Sequence, residues 1–318
     1  MYEPTLREFD LGAVLDFEKL GGLSADNNRV RTTSGQYVLK RFSEAERPKV
    51  ERISRIYTEL NELDIPCPRM ILSRDGKSAV SMDRSIYMLF TYHPGIILHN
   101  QEALYSRRRL LVDALADLHH KLAAESNGAV AHVLKTPFAL SDEESLCYLG
   151  HCELQKRVRE LRTVKLRLVD RIVSKCEIPD EQTVVHGDLH NENVVVRSDA
   201  PGVIFLDWER ARAGVKAEDA ATFSLFAFCN SSFSVAGLRR MWSFMSAYGA
   251  KAGLDSMQLE IGVRATLLRL LRSSYIEQLC MRSPSPFSMS LLARDEHRFG
   301  ALAQSPALLA RLTEYGHA

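Results

Sequence analysis

Across the first ninety positions apolar residues alternate more than they recur at helical spacing. Arg29–Thr33 and Gln36–Phe42 read as two strands joined at Ser34-Gly35, a tight-turn pair. Pro48 opens a stretch that puts Val50, Ile53, Ile56, Tyr57 and Leu60 on one helical face. That periodicity stops at Ile65-Pro-Cys-Pro68, because a residue before proline avoids helical angles. Met70–Leu72 and Ala79–Met82 flank Arg74-Asp-Gly-Lys77 as a hairpin. Ser85–Tyr92 is a further apolar strand that ends at the breaker His93-Pro94-Gly95.

Beyond the breaker the period lengthens. Glu102–Leu122 carries Leu104, Leu111, Leu115, Leu118 and Leu122 at helical spacing. Ser145–Ser174 is a charged helical segment with Asp142, Glu143 and Glu144 near its start, where the helix dipole favours carboxylates. A β island follows at Thr183–Val185, Val194–Arg197 and Val203–Leu206. Helical periodicity then runs to the end, interrupted at Ser283-Pro-Ser-Pro286. The pattern predicts an α+β chain of two lobes, a small β-rich one over 1–92 and a larger, mainly helical one over 93–318.

Composition narrows the classes. With 318 residues, 46% hydrophobic and 25% charged, the chain can bury a large core, which excludes disorder and disulfide-stapled miniproteins. Its 41 Lys+Arg against 40 Asp+Glu leave a net charge of +1, so neither nucleic acid nor an anionic membrane surface is expected as a partner. No apolar run is long enough for a membrane span, and the first residues lack a secretory apolar segment. The six cysteines form no CxxC pair, which favours reduced thiols in a cytoplasmic protein. Cys147 and Cys152 around His151 match no common zinc spacing. Oligomeric state is not legible.

The chemistry concentrates in Val184–Glu209. A loop between two short strands carries His186, Asp188, His190 and Asn193, and Asp207 follows 19 residues after Asp188 at the end of an apolar strand. Polar groups bracketed by β-branched residues sit on rigid supports. An Asp, an Asn five residues later and a strand-borne Asp form the arrangement used for phosphoryl transfer: one carboxylate for the attacking hydroxyl, then an amide and a carboxylate for Mg²⁺. Other chemistries fit less well. His186, Asp188 and His190 lack the spacing of a metal-hydrolase cluster, and His190-Asn-Glu192 lacks the Pro-Cys-x-x-Cys partner of zinc deaminases. Asp75-Gly-Lys77-Ser78 has Ile71 where a phosphate loop needs its first glycine.

His-Gly-Asp-Leu-His-Asn-Glu-Asn at 186–193 followed by Phe-Leu-Asp-Trp-Glu at 205–209 resembles the aminoglycoside phosphotransferase and choline kinase group, which includes bacterial homoserine kinases. Gly21-Gly22, Tyr37-Val-Leu-Lys40, Met88–Gly95 and Leu115–His119 are similar to further family segments in the same order. The resemblance implies a bilobal protein-kinase-like fold and ATP-dependent phosphorylation of a small-molecule hydroxyl, with ATP and Mg²⁺ as cofactors. It implies Asp188 as catalytic base and Asn193 and Asp207 as metal ligands. Lys40 is implied to hold the nucleotide phosphates, beside a helix carboxylate. Glu51 and Glu59 are both candidates for that carboxylate, and Glu51 has the better distance from the Pro66–Pro68 turn. The adenine is implied to meet the backbone around Phe90–Tyr92. Ser24 and Asn27 belong to a small-residue nucleotide loop that lacks the protein-kinase glycine pattern. Asp219 resembles the family's structural aspartate.

An aminoglycoside, amino sugar, homoserine or amino alcohol all remain open as acceptor. Asp142–Glu144 is the one obvious acidic cluster for a polycation, and two tryptophans are few for a choline cage. The alternative is a kinase-like scaffold without turnover, disfavoured because Lys40, Asp188, Asn193 and Asp207 are all present. A protein kinase is disfavoured by the 13 residues between Asn193 and Asp207 and the absence of an evident activation segment.

Overall fold

The computed structural model describes residues 3–20, 26–124, 153–173 and 183–316. After a single helical turn, α1 (Glu3–Leu6), the chain forms β1 (Val14–Lys19), β2 (Asp26–Thr32), β3 (Gly35–Ser43), helix α2 (Arg47–Glu62), β4 (Met70–Ile71), β5 (Val80–Met82) and β6 (Ser85–Thr91). These strands make a six-stranded antiparallel sheet in the order β1-β2-β3-β6-β4, with β5 also on β6.

Strand β6 reads as a nearly unbroken apolar run because both faces of the sheet are covered there. Ile86, Met88 and Phe90 face the main core, where Val50, Ile53, Ile56, Tyr57 and Leu60 of α2 pack. Tyr87 and Leu89 face the other way, against Leu6, Phe9 and Leu11 of the N-terminal segment. The α2 face is the one its spacing predicts. The N-terminal cover is not, since Met1–Gly12 is largely polar in composition.

Three elements differ from expectation. The 70–72 and 79–82 runs do not pair as a hairpin; Met70 pairs with Phe90 and Val80 with Tyr87, on successive parts of β6. The most apolar strand thus recruits both short segments. Strand β1 was not among the expected elements; Leu15 and Phe17 alternate there with Asp16 and Glu18, yet the whole strand lies exposed. The 102–122 helix is two, α3 (Gln101–Ser106) and α4 (Arg108–Ala124), because the chain leaves helical geometry at Arg107.

The remainder is mainly helical: α5 (Glu153–Val173), α6 (Glu218–Cys229), α7 (Val235–Ala252), α8 (Ser256–Arg272), α9 (Tyr275–Arg282), α10 (Pro286–Gln304) and α11 (Pro306–Thr313). Every residue of α6 except Phe226 is buried, as suits a helix enclosed by neighbours. Between α5 and α6 lie β8 (Thr183–Val185), β9 (Val194–Arg197), β10 (Val203–Phe205) and β11 (Arg212–Gly214). Strand β7 (Gly95–Ile97) joins β9, and β11 pairs with β8. A Cβ at Gly95 would overlap the Val196 carbonyl, so the breaker glycine permits a close strand approach. An antiparallel sheet followed by a larger helical part makes the fold α+β. No helix among the described residues is long and apolar enough to cross a membrane.

Candidate active site

The loop between β8 and β9 is held from below by α6. Asp219, fully buried, accepts the backbone N–H of His186 at 2.6 Å and of Gly187 at 3.0 Å, and lies 3.1 Å from Nε2 of His119. Burial works to raise the Asp219 carboxyl, but His119 and the donated N–H groups overcome it and hold it at about 2. His119 in turn meets the Tyr248 hydroxyl at 2.6 Å. Gly187 has φ +79°, and a Cβ there would overlap the Arg210 carbonyl oxygen.

Both ring nitrogens of His186 are engaged with backbone. Nε2 donates to the Leu206 carbonyl at 2.6 Å, and Nδ1 accepts the Asp188 N–H at 3.3 Å. His186 is therefore a brace, not a free base. Asn193 donates its amide to the Asp188 carbonyl at 2.9 Å, which leaves its amide oxygen as the atom able to meet a cation. Its own carbonyl accepts the Leu206 N–H at 2.8 Å, so Asn193 is fixed beside the residue preceding Asp207.

Asp207 follows β10 by two residues and lies in the left-handed region, φ 59° and ψ 60°. A non-glycine residue held there is strained, and such strain clusters at functional positions. The following turn, Trp208–Arg210, is pinned by the buried Trp208, whose Nε1 donates to the Phe205 carbonyl at 3.0 Å. The Lys40 ammonium on β3 reaches across 167 positions to Asp207 Oδ1 at 2.8 Å. Burial opposes the Asp207 charge, yet Lys40 overcomes it and keeps the carboxyl well below the usual carboxylate range. Burial likewise opposes the Lys40 charge, and Asp207 and Glu209 outweigh it and raise the ammonium above its ordinary value.

The second carboxylate on Lys40 is Glu209, at 3.0 Å. The structure does not bring Glu51 to it: Glu51 is exposed on α2, and Glu59 makes no hydrogen bond to Lys40 either. The face of α2 that meets the Trp208–Arg210 turn carries cations instead. Lys49 lies 2.8 Å from Glu209 Oε2, and Arg52 donates to the Ala211 carbonyl at 2.5 Å. Arg210 lies 3.5 Å from Asp188 Oδ2. Sequence reading missed Glu209, Arg210 and Lys49 as members of the site. The available signal was the adjacency of Glu209 and Arg210 to Asp207.

Phe90 and Tyr92 also sit differently from the expected adenine contact. Phe90 lies between β3 and β4, opposite Val38 and Met70, and its ring lies 5.9 Å beneath the Lys40 ammonium. The Thr91 N–H goes to the Arg69 carbonyl and the Tyr92 N–H to the Gln36 carbonyl. Sheet pairing therefore occupies backbone donors that a nucleobase would need. The guanidinium of Arg29 covers the Tyr92 ring at 4.5 Å. Ser24 lies outside the described residues, as do Asp142–Glu144 and Cys147–Cys152. Asn27 pairs with Lys40 in register, and Asp26 lies 3.6 Å from Lys19 and 4.0 Å from Arg41.

Asp207 and the Asn193 amide oxygen are hard donors of the kind a small divalent cation takes. Among the described residues no group of three or more His, Cys, Asp or Glu could hold a metal. A pair of oxygens suits a cation whose other ligands are water and phosphate.

The sequence profile of the phosphotransferase enzyme family matches residues 17–254. Homoserine kinase from Methylobacillus flagellatus is 26% identical over 208 residues, 62% of this chain and 59% of that enzyme, so the match spans less than two thirds of that relative. Homoserine kinase from Methylobacillus glycogenes is 25% identical over 279 residues, 83% of this chain and 82% of that enzyme. The solved structure of amicoumacin kinase hAmiN in complex with AMP-PNP, Ca²⁺ and Ami superposes with a TM-score of 0.65 over 96% of each chain at 15% identity, a likeness of fold.

Proposed function

The chain belongs to the phosphotransferase enzyme family, and from that membership we propose that it transfers the γ-phosphoryl group of ATP to a hydroxyl of a small molecule, with Mg²⁺ as the cation. The observation that carries this reading is the linkage of four groups from distant segments: Lys40 on Asp207, Asp207 beside Asn193 through Leu206, and Asn193 on Asp188.

In this reading Asp188, with a side chain 26% exposed, accepts the proton of the attacking hydroxyl. Lys40 presents its charge to the nucleotide phosphates. Asp207 and the Asn193 amide oxygen hold the cation. A divalent cation held there would offset the charge that develops on the phosphates. The backbone contacts of Asp219 and His186 keep Asp188 and Asn193 in register, so positioning precedes substrate arrival. The lobe of residues 1–92 grips the nucleotide and that of 93–318 the acceptor. The buried free cysteines Cys67, Cys229 and Cys280 support a reducing, cytoplasmic setting.

L-homoserine is the first acceptor to test, because both curated relatives are homoserine kinases. Amino alcohols and amino sugars complete the panel. Thermal unfolding with ATP or ADP, with and without Mg²⁺, tests the nucleotide half. Ligand at ~100 times its dissociation constant should add about 2.7 kcal/mol of stability. ADP release with each acceptor tests the other half. No Mg²⁺-dependent stabilisation by either nucleotide, together with no ADP release, would refute the reading.

A further inference from the structure

Lys40 bears two carboxylates on one ammonium, Asp207 at 2.8 Å and Glu209 at 3.0 Å. Under the function proposed above, on which this inference rests, Asp207 also faces the cation, so its charge is shared once the cation is held. Glu209 carries no such second duty. Its side chain is 7% exposed, and its other oxygen lies 2.8 Å from Lys49. A lysine ammonium sits on a flexible four-carbon stem, so its place is set by the partners that hold it. Once Asp207 is shared with the cation, a second carboxylate within reach is needed to keep Lys40 aimed, and Glu209 is in place at 3.0 Å.

The junction between α2 and the Trp208–Arg210 turn has a polarity that supplies this. Helix α2 contributes cations, Lys49 and Arg52, and the turn contributes Glu209 and the Ala211 carbonyl. Tyr57 of the same helix also accepts the Trp208 N–H at 3.4 Å. We infer that Glu209 is the positioning residue for Lys40, set in place by Lys49, so that the chain Lys40–Glu209–Lys49 couples β3 to α2. A direct contact between Lys40 and a helix carboxylate is thereby replaced by a carboxylate from the turn after Asp207, bridged to the helix by a second lysine.

The test measures ADP affinity with and without Mg²⁺ by calorimetry, and steady-state kinetics with ATP and acceptor varied in turn. Glu209→Gln keeps the side-chain shape and removes the charge. Removing the charge opposite the Lys40 ammonium should weaken ADP binding by ~10-fold or more with Mg²⁺, when Asp207 is shared, and by less without it. KM for ATP should rise by a similar factor while KM for the acceptor stays unchanged, a split that general destabilisation would not produce. Glu209→Asp should recover part of the loss, and Lys49→Met should weaken ADP in the same direction by a smaller factor. Glu51→Gln, on the exposed side of α2, should change ADP affinity less than ~2-fold, the range of a surface change. If Glu209→Gln does not fold, Lys49→Met and Glu209→Asp read the same chain from its other positions. Wild-type ADP affinity in Glu209→Gln, or a larger loss in Glu51→Gln than at Glu209, overturns the inference alone. A wild-type protein that binds no nucleotide overturns the proposed function, and this inference with it.

Discussion

Asp219 Oδ2 accepts the backbone N–H of His186 at 2.6 Å, across 33 positions of sequence. The same carboxylate holds Gly187 and meets His119, all within a buried network. Its carboxyl is displaced from an ordinary 3.8 to about 2, so the charged form is favoured in the folded state. That contribution is complete above the unfolded value and is lost as pH falls through the folded value. Asp219→Asn removes it, and at neutral pH the variant should be less stable by about 3–5 kcal/mol, the cost of breaking a buried charged network. The gap between the melting temperatures of the two proteins should narrow between about pH 5 and pH 2. A constant gap across that range would show that the charge is not what matters.

Gly187 has φ +79° with the Arg210 carbonyl against it. Gly187→Ala faces both an unfavourable backbone region and a steric overlap, so it should cost at least about 1 kcal/mol. The loop then shifts relative to Asp207, and turnover should fall more than stability alone explains. Denaturant unfolding alongside kcat checks this, and wild-type values in both would refute the steric account.

Asp188 has its amide braced by His186 and its carbonyl by Asn193, so its carboxylate, with Arg210 3.5 Å from Oδ2, is the part placed for chemistry. Asp188→Asn should lower kcat by ~10²–10⁴, the range for a removed general base, while ADP affinity changes little. Parallel kinetics and ADP titration separate the effects. A variant that keeps turnover within a few-fold of wild type would remove Asp188 from the proton-accepting role.

Ile53, 1% exposed, sits in the α2 face that packs on the sheet beside Ile56 and Tyr57. Ile53→Ala should cost about 2–5 kcal/mol through lost burial and the cavity left behind. Because α2 also carries Lys49 and Arg52 to the Trp208–Arg210 turn, nucleotide affinity should weaken as well. Urea unfolding and ADP titration measure the two losses. A stability loss below 1 kcal/mol would mean the site collapses around the cavity, contrary to expectation.

Local patterns were readable wherever the signal was short-ranged. The buried face of α2 follows from residues three and four apart, and the β island at 183–206 from brief apolar runs between turn residues. Strand β1 alternates Leu15 and Phe17 with Asp16 and Glu18, but the run is short and neither face is buried, so it went unread. The pairing of β4 and β5 was hidden for another reason: each is two or three residues long, and its partner is chosen by the long apolar edge of β6.

The sequence by itself determined the α+β order of elements, the apolar face of α2, and the spacing of Asp188, Asn193 and Asp207 along a strand–loop–strand segment. These depend on backbone period and turn chemistry, which act over a few residues. Only the tertiary structure decided that Lys40 meets Glu209 and not Glu51, and that the Tyr92 N–H is taken by Gln36. An ion pair spanning 169 positions depends on where two elements come to rest. One residue along a helix turns a side chain by about 100°, enough to carry a carboxylate from a buried site into solvent.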